Sequence, residues 1–216
     1  MDKILKGVSM SVVLNLVRSS YSIIATDSRI MLDKVGRYTD VYPKLYPSNI
    51  GWVSGTGVGE FIRYMANNLS GSPYETYKKY IRSNKDYSKE DLEKTLISYS
   101  YIYRNETRIK YLGQEYCCVK IPKETPTAFP PADLSEELHN EIYDELIKRL
   151  KNSEHLDDDI YTIANYISDV SQSCKSVSSI CDFGIIDRRL GKSERVNIRE
   201  DFSLFKTKYD SNSAFY

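Results

Sequence analysis

MSVVLNLVRSSYSIIATDSRIMLDKVGRYTDVYPKLYPSNIGWVSGTG, residues 10–57, is the stretch whose reading decides the fold. Ser11 to Val17 is rich in Val and Leu, as a strand buried on both faces would be. Arg18-Ser19-Ser20 is polar and short enough for a hairpin turn, and Tyr21 to Thr26 reads as the return strand. Tyr38 to Tyr46 alternates aromatic and β-branched residues, with Pro43 restricting it to an edge, a bulge or an irregular strand. Ile50 to Ser54 is a fourth strand, ending in the small-residue corner Gly55-Thr56-Gly57. A hydroxyl nucleophile, an aspartate, a lysine and a glycine corner thus follow one another in that order: Ser11, Asp27, Lys44, Gly55.

Such a set has a chemical logic. A serine hydroxyl is a weak nucleophile until a base takes its proton, and the free α-amine of the same residue, with a reference pKa of about 8, can serve. A nearby lysine lowers that amine's pKa, an aspartate holds the lysine, and a backbone N–H at a glycine corner stabilises an oxyanion by roughly 3 kcal/mol.

Beyond this stretch the period changes. Val58, Phe61, Ile62, Met65 and Leu69 have helical spacing, with Gly71 placed to stop the helix. Residues 73–81 form a second short helix with Pro73 in its first turn. Ser88 is an N-cap candidate, and Leu92, Leu96, Tyr99 and Ile102 or Tyr103 form an apolar stripe, which predicts a helix to about Asn105. Residues 109–121 look extended, and the proline-rich 125–132 reads as a loop. Leu138, Ile142, Leu146 and Leu150 mark an amphipathic helix over 136–150, and another is expected over 160–173 behind Asp157 to Asp159. Residues 180–186 are a strand, 187–193 a turn containing Gly191, and 195–198 its partner; the last fifteen residues show no clear period. Strands and helices grouped in this way suit α/β layers with antiparallel sheets, and the lack of regular βαβ alternation argues against a parallel Rossmann-like sheet.

Composition sets the outer bounds. The 216 residues suit one domain, residues 1–216, with 1–10 read as a propeptide or N-terminal extension. Apolar residues at 41% and charged residues at 28% supply a core without the signature of disorder. Thirty basic and thirty acidic residues cancel, so the basic excess that a nucleic-acid partner would want is missing. Cys117, Cys118, Cys174 and Cys181 form no CxxC pair and the histidines are only His139 and His155, so neither a zinc site nor a cofactor is expected, and the thiols read as free. With no signal-peptide core and no spanning run, the chain is expected to be soluble and cytoplasmic, with no membrane partner.

Ser11 to Arg29, with Lys44 and Gly55-Thr56-Gly57, resembles the start of proteasome β-subunits and of the bacterial HslV peptidase, both N-terminal-nucleophile (Ntn) hydrolases. In that family an Asp in an Ala-Asp-Ser-Arg-like motif follows the nucleophile by sixteen residues. Asp27 follows Ser11 at that separation, within Ala25-Thr26-Asp27-Ser28-Arg29. The resemblance covers about residues 9–83. It implies an α+β fold, a four-layer αββα sandwich of antiparallel sheets, and hydrolysis of a peptide or amide substrate. The implied catalytic set is Ser11, Asp27, Lys44 and Gly55, with Arg29, Ser173 and Ser176 as accessory residues and a homo-oligomer as the assembly.

Three departures matter. The nucleophile is Ser where the family's β-subunits have Thr, and Met10 stands where Gly usually precedes it. An acid is missing from 171–179, where the family carries an Asp-x-x-Ser-Gly-like segment. The alternatives therefore stay open: a catalytically inactive subunit of the same fold, or an unrelated α/β binding module. Taken singly, Ser11 is a polar residue opening a strand, Asp27 and Arg29 an ordinary ion pair, Lys44 a surface lysine, and Asp187-Arg188-Arg189 a solvated turn.

Overall fold

The computed structural model describes residues 8–9, 11–31, 38–40, 43–69, 72–113, 118–189 and 192–198. Met10, Gly71, Cys117, Gly191 and the last fifteen residues, all weighed above, lie outside them.

The chain begins with seven strand segments: β1 (Val8–Ser9), β2 (Val13–Val17), β3 (Tyr21–Asp27), β4 (Ile30–Met31), β5 (Tyr38–Thr39), β6 (Tyr46–Ser48) and β7 (Gly51–Val58). Helices α1 (Gly59–Asn68), α2 (Pro73–Ser83) and α3 (Lys89–Glu93) follow, then β8 (Leu96–Tyr103), β9 (Glu106–Leu112), β10 (Val119–Lys120) and β11 (Thr127–Phe129). Helices α4 (Glu136–Lys151) and α5 (Leu156–Ser173) precede β12 (Cys181–Asp187) and β13 (Lys192–Ile198).

Two antiparallel sheets organise these elements. One runs β1-β7-β8-β9-β10, with β6 also on β7, and the other runs β11-β2-β3-β12-β13; β4 and β5 form a separate ribbon. Among the described residues the fold is thus α+β, with two main antiparallel sheets and five helices.

The period-two alternation of the strands distributes side chains between three cores. Leu14, Leu16, Ile23 and Phe183 pack against Leu146, Ile163 and Ile167 of α4 and α5. Val53, Ile97 and Tyr99 pack against Phe61, Met65, Tyr77 and Leu92 of α1 to α3. Val13, Val17 and Ile24 of one sheet meet Trp52 and Ile109 of the other. Trp52 lies deep in this seam: its indole N–H donates to the Ile185 carbonyl at 3.3 Å, and a Cβ at Gly184 would lie 2.5 Å from its ring.

The helix starts follow the capping residues. Ser72, Ser88 and Ser135 each accept a backbone N–H three residues on, from Glu75, Asp91 and Leu138. The helix expected to run from Ser88 to about Asn105 ends instead at Glu93. Thr95 stops it, with its hydroxyl donating to the Asp91 carbonyl and accepting the Val58 N–H. From Leu96 the sequence LISYSYIY has two periods superposed, and the β one prevails. Ile97 and Tyr99 face the helices, while Ser100 on the opposite face accepts the Trp52 N–H. A two-residue turn with positive φ at Arg104 and Asn105 then reverses the strand into β9.

Two further expectations change. The proline-rich segment contains β11, an edge strand on β2 flanked by Pro126 and Pro130, which is where a sheet tolerates proline. Residues 38–46 are not one strand: β5 and β6 are separated by an irregular passage through Pro43, Lys44 and Leu45.

Candidate active site

Asp27 ends β3 and is completely buried, so its carboxylate must find donors within the protein. Lys44 supplies one, its Nζ lying 3.1 Å from Oδ1 and 3.0 Å from Oδ2. Backbone N–H groups supply three more: Val12 to Oδ1 at 3.2 Å, Arg29 to Oδ2 at 2.9 Å and Ser178 to Oδ2 at 3.3 Å. Three segments distant in sequence, and the turn just after β3, therefore converge on one carboxylate. Val12 adjoins Ser11, which is itself fully buried.

The lysine is not the surface side chain that a tyrosine-rich strand suggests. It sits in the irregular passage beside Pro43, its side chain 4% exposed, and its own carbonyl accepts the Ser54 hydroxyl at 2.9 Å. Burial is the largest influence on both partners: it pushes the Asp27 carboxyl up, against the Lys44 charge and the hydrogen bonds, and pushes the Lys44 ammonium down, against Asp27. Burial thus moves each of the two toward its neutral form.

Arg29 does not pair with Asp27 through its side chain. Its guanidinium takes Asp40 in a two-point contact at 2.9 and 3.0 Å, lies 3.7 Å over the Tyr38 ring and donates to the Lys175 carbonyl at 3.0 Å. Asp40 holds its pKa above the ordinary arginine value. Only the backbone N–H of Arg29 reaches Asp27. The residue ties the β4–β5 ribbon to the loop after α5.

The glycine corner is displaced from its expected place. β7 continues through Gly55, which pairs with Ile97, and a Cβ there would lie 2.2 Å from the Leu96 carbonyl oxygen. Gly57 has the special backbone, with φ of +106°, and a Cβ would meet the Thr95 hydroxyl at 2.6 Å. Gly57 stands opposite Ser9 of β1, just upstream of Ser11.

Of the serines after α5, Ser173 is exposed at the helix end, whereas Ser176 is buried and donates to Asp133 Oδ1 at 2.7 Å. Ser178, which spacing did not single out, is the one whose N–H touches Asp27. Its hydroxyl accepts the Ile180 N–H at 3.0 Å. Val12 (next to Ser11), Lys44, the backbone of Arg29 and Ser178 are thus gathered on the Asp27 carboxylate. No helix among the described residues is long and apolar enough to cross a membrane.

No protein-family model and no curated protein matches this sequence. Solved structures do. The fold is similar to an Anbu (Gly-1) mutant from Hyphomicrobium sp. strain MC1, with a TM-score of 0.68 and 12% identity over 94% of this chain and 95% of that one. It is similar also to Anbu (ancestral beta-subunit) from Yersinia bercovieri, with a TM-score of 0.67 and 14% identity over 94% of each chain. These neighbours correct the resemblance drawn from the sequence: they are Anbu proteins, not the HslV peptidase or the proteasome β-subunits to which residues 9–83 were likened. At such identities the likeness shows the fold alone, an Anbu-like arrangement of two antiparallel sheets and five helices, and it does not establish an Ntn hydrolase.

Proposed function

We propose that this chain hydrolyses peptide or amide bonds with Ser11 as nucleophile, once residues 1–10 have been removed. The observation that carries the reading is the buried Lys44–Asp27 pair, whose carboxylate also accepts the N–H of Val12 and so fixes the backbone next to Ser11. A fully buried lysine and aspartate are costly to keep unless they form a hydrogen-bonded unit with a purpose.

In the processed chain the Ser11 α-amine takes the hydroxyl proton, and Oγ attacks the substrate carbonyl carbon. The developing oxyanion meets a backbone N–H. Between Gly55 and Gly57 we assign that donor to Gly57, because its positive φ lies at the strand end and it faces the segment that precedes Ser11. Collapse of the tetrahedral intermediate expels the amine, which takes its proton from the α-ammonium, and water releases the resulting ester by the reverse relay. Lys44 holds positive charge beside the amine, and Asp27 holds Lys44. For the first cut, before any α-amine exists, Lys44 acts as the base after its ammonium proton has passed to the Asp27 carboxylate 3.0 Å away. It takes the positive charge back with the Ser11 proton. The three cores support a four-layer order of helices, sheet, sheet and helices over a single domain. That the Yersinia bercovieri neighbour is an ancestral beta-subunit supports assembly with further copies of this chain.

A second reading has its own observation. Val8 and Ser9 pair with Val58 and Gly57 as part of the first sheet, and Ser11 is buried. A chain that stays so is a non-catalytic subunit in which Asp27 and Lys44 hold the sheet end. Intact mass decides between them. A purified chain beginning at Ser11, with Ser11→Ala remaining full length, supports the hydrolase; a wild-type chain that remains full length after prolonged incubation sinks it.

A further inference from the structure

The loop between α5 and β12 closes the site, since Ser178 gives Asp27 one of its donors, yet the acid anticipated in that loop is missing from it. An acid reaches it from elsewhere. Asp133, in the connection between β11 and α4, accepts the Ser176 hydroxyl at 2.7 Å, across forty-three residues of sequence. Its carboxylate also stands beside the Cys174 thiol, which burial first and Asp133 second push up to about 11. Asp133 itself is exposed, whereas Ser176 and Ser178 are buried.

We propose that Asp133 is a positioning residue for the site: through Ser176 it fixes the 174–178 loop so that the Ser178 N–H stays on Asp27. The inference rests on the hydrolase reading above. The loop has three successive anchors. Arg29 holds the Lys175 carbonyl, Asp133 holds the Ser176 hydroxyl, and Asp27 takes the Ser178 N–H. The middle anchor comes from the connection between β11 and α4, the other two from the end of β3 and the residues just after it. Because Ser176 and Ser178 are separated by only Val177, which packs in the helix-covered core, a shift at Ser176 is passed on to Ser178. A carboxylate accepting a hydroxyl forms a strong charge-assisted bond, while a carboxamide oxygen keeps a weaker one.

Two arms test this. In the full-length Ser11→Ala chain, hydrogen–deuterium exchange over residues 174–180 should be about tenfold faster with Asp133→Ala or Ser176→Ala and near the parent rate with Asp133→Asn. Melting temperature and exchange around Arg18 should not change. In the Ser11 chain, the rate of conversion to a chain beginning at Ser11 should fall by about ten- to a hundredfold with Asp133→Ala, and Asp133→Asn should restore most of it. Unchanged exchange over 174–180 overturns the proposal, whether or not the parent chain processes itself. Faster exchange with an undiminished processing rate reduces Asp133 to loop ordering and overturns it as well. A parent that never processes is a failure of the hydrolase reading, and is told apart by occurring without any Asp133 substitution.

Discussion

The hairpin formed by β2 and β3 has an acid–base pair at each end; burial pulls the pKa of both cations down, but the net shifts run in opposite directions. At the turn end, Arg18 donates through Nε and Nη2 to Asp159 at 2.7 Å each, and it also reaches Glu124 and the Leu150 carbonyl. Tyr21 and Ser153 donate to the same aspartate at 2.7 and 2.6 Å. The hydrogen bond to Asp159 is the largest influence on Arg18 and raises its pKa further. At the open end burial dominates instead, and the Lys44 ammonium is pushed down. A planar guanidinium with several fixed donors stays charged and clamps; a buried ammonium is the group that gives up a proton. One hairpin thus carries at one end a lock that joins α5 to the sheet and at the other a buried pair that burial moves toward its neutral forms.

The largest expected effect separates the two ends by function. Lys44→Met should slow conversion to the Ser11 chain by about 10²- to 10⁴-fold, the usual range for loss of a positioned acid–base group. Arg18→Met should leave that rate unchanged in folded protein, and intact-mass time courses check both. Equal slowing by the two substitutions would dissolve the contrast.

Stability should divide the other way. Arg18→Met leaves Asp159 buried without its cation, which costs about 3–5 kcal/mol. Urea unfolding followed by circular dichroism reads this as a lowered midpoint at an unchanged slope. A loss below about 1 kcal/mol would place Arg18 among ordinary surface pairs.

The smallest effect sharpens the role of burial itself. Tyr77 is raised to about 12, by burial first and Glu93 second, and Tyr21 is raised as well, by burial and then Asp159. A folded pKa above the unfolded value of roughly 10 means that unfolding releases the proton more easily. The associated stability is therefore complete below about pH 10 and is lost as pH rises through the folded value. Urea midpoints should fall between pH 8 and pH 11, and Tyr21→Phe should flatten that fall.

Much of this architecture is legible in local sequence. The apolar strand runs over 11–17, 21–26 and 180–186, the N-cap at Ser88 and the stripe Leu138–Leu150 each have one reading, and the structure follows them. Leu96–Tyr103 has two, because Ser-Tyr alternation also places apolar residues at helical spacing, and only pairing with β7 and β9 chooses. At the site, sequence order brings Ser11, Asp27 and Lys44 into view, since local motifs carry them. Ser178 meets Asp27 through a backbone N–H, and Asp133 meets Ser176 across forty-three residues, contacts that leave no mark on spacing. Gly55 and Gly57 differ in backbone angle and in strand partner, properties their shared residue type conceals.

Trp52, the chain's one tryptophan, lies in the seam between the sheets with its indole bonded to the Ile185 carbonyl. The molecule therefore contains a single optical gauge of sheet separation. Its emission reports water entering that seam, independently of whether the outer helices are intact, so that loosening of the sandwich and melting of the helices are separable by fluorescence and circular dichroism on the same unlabelled sample.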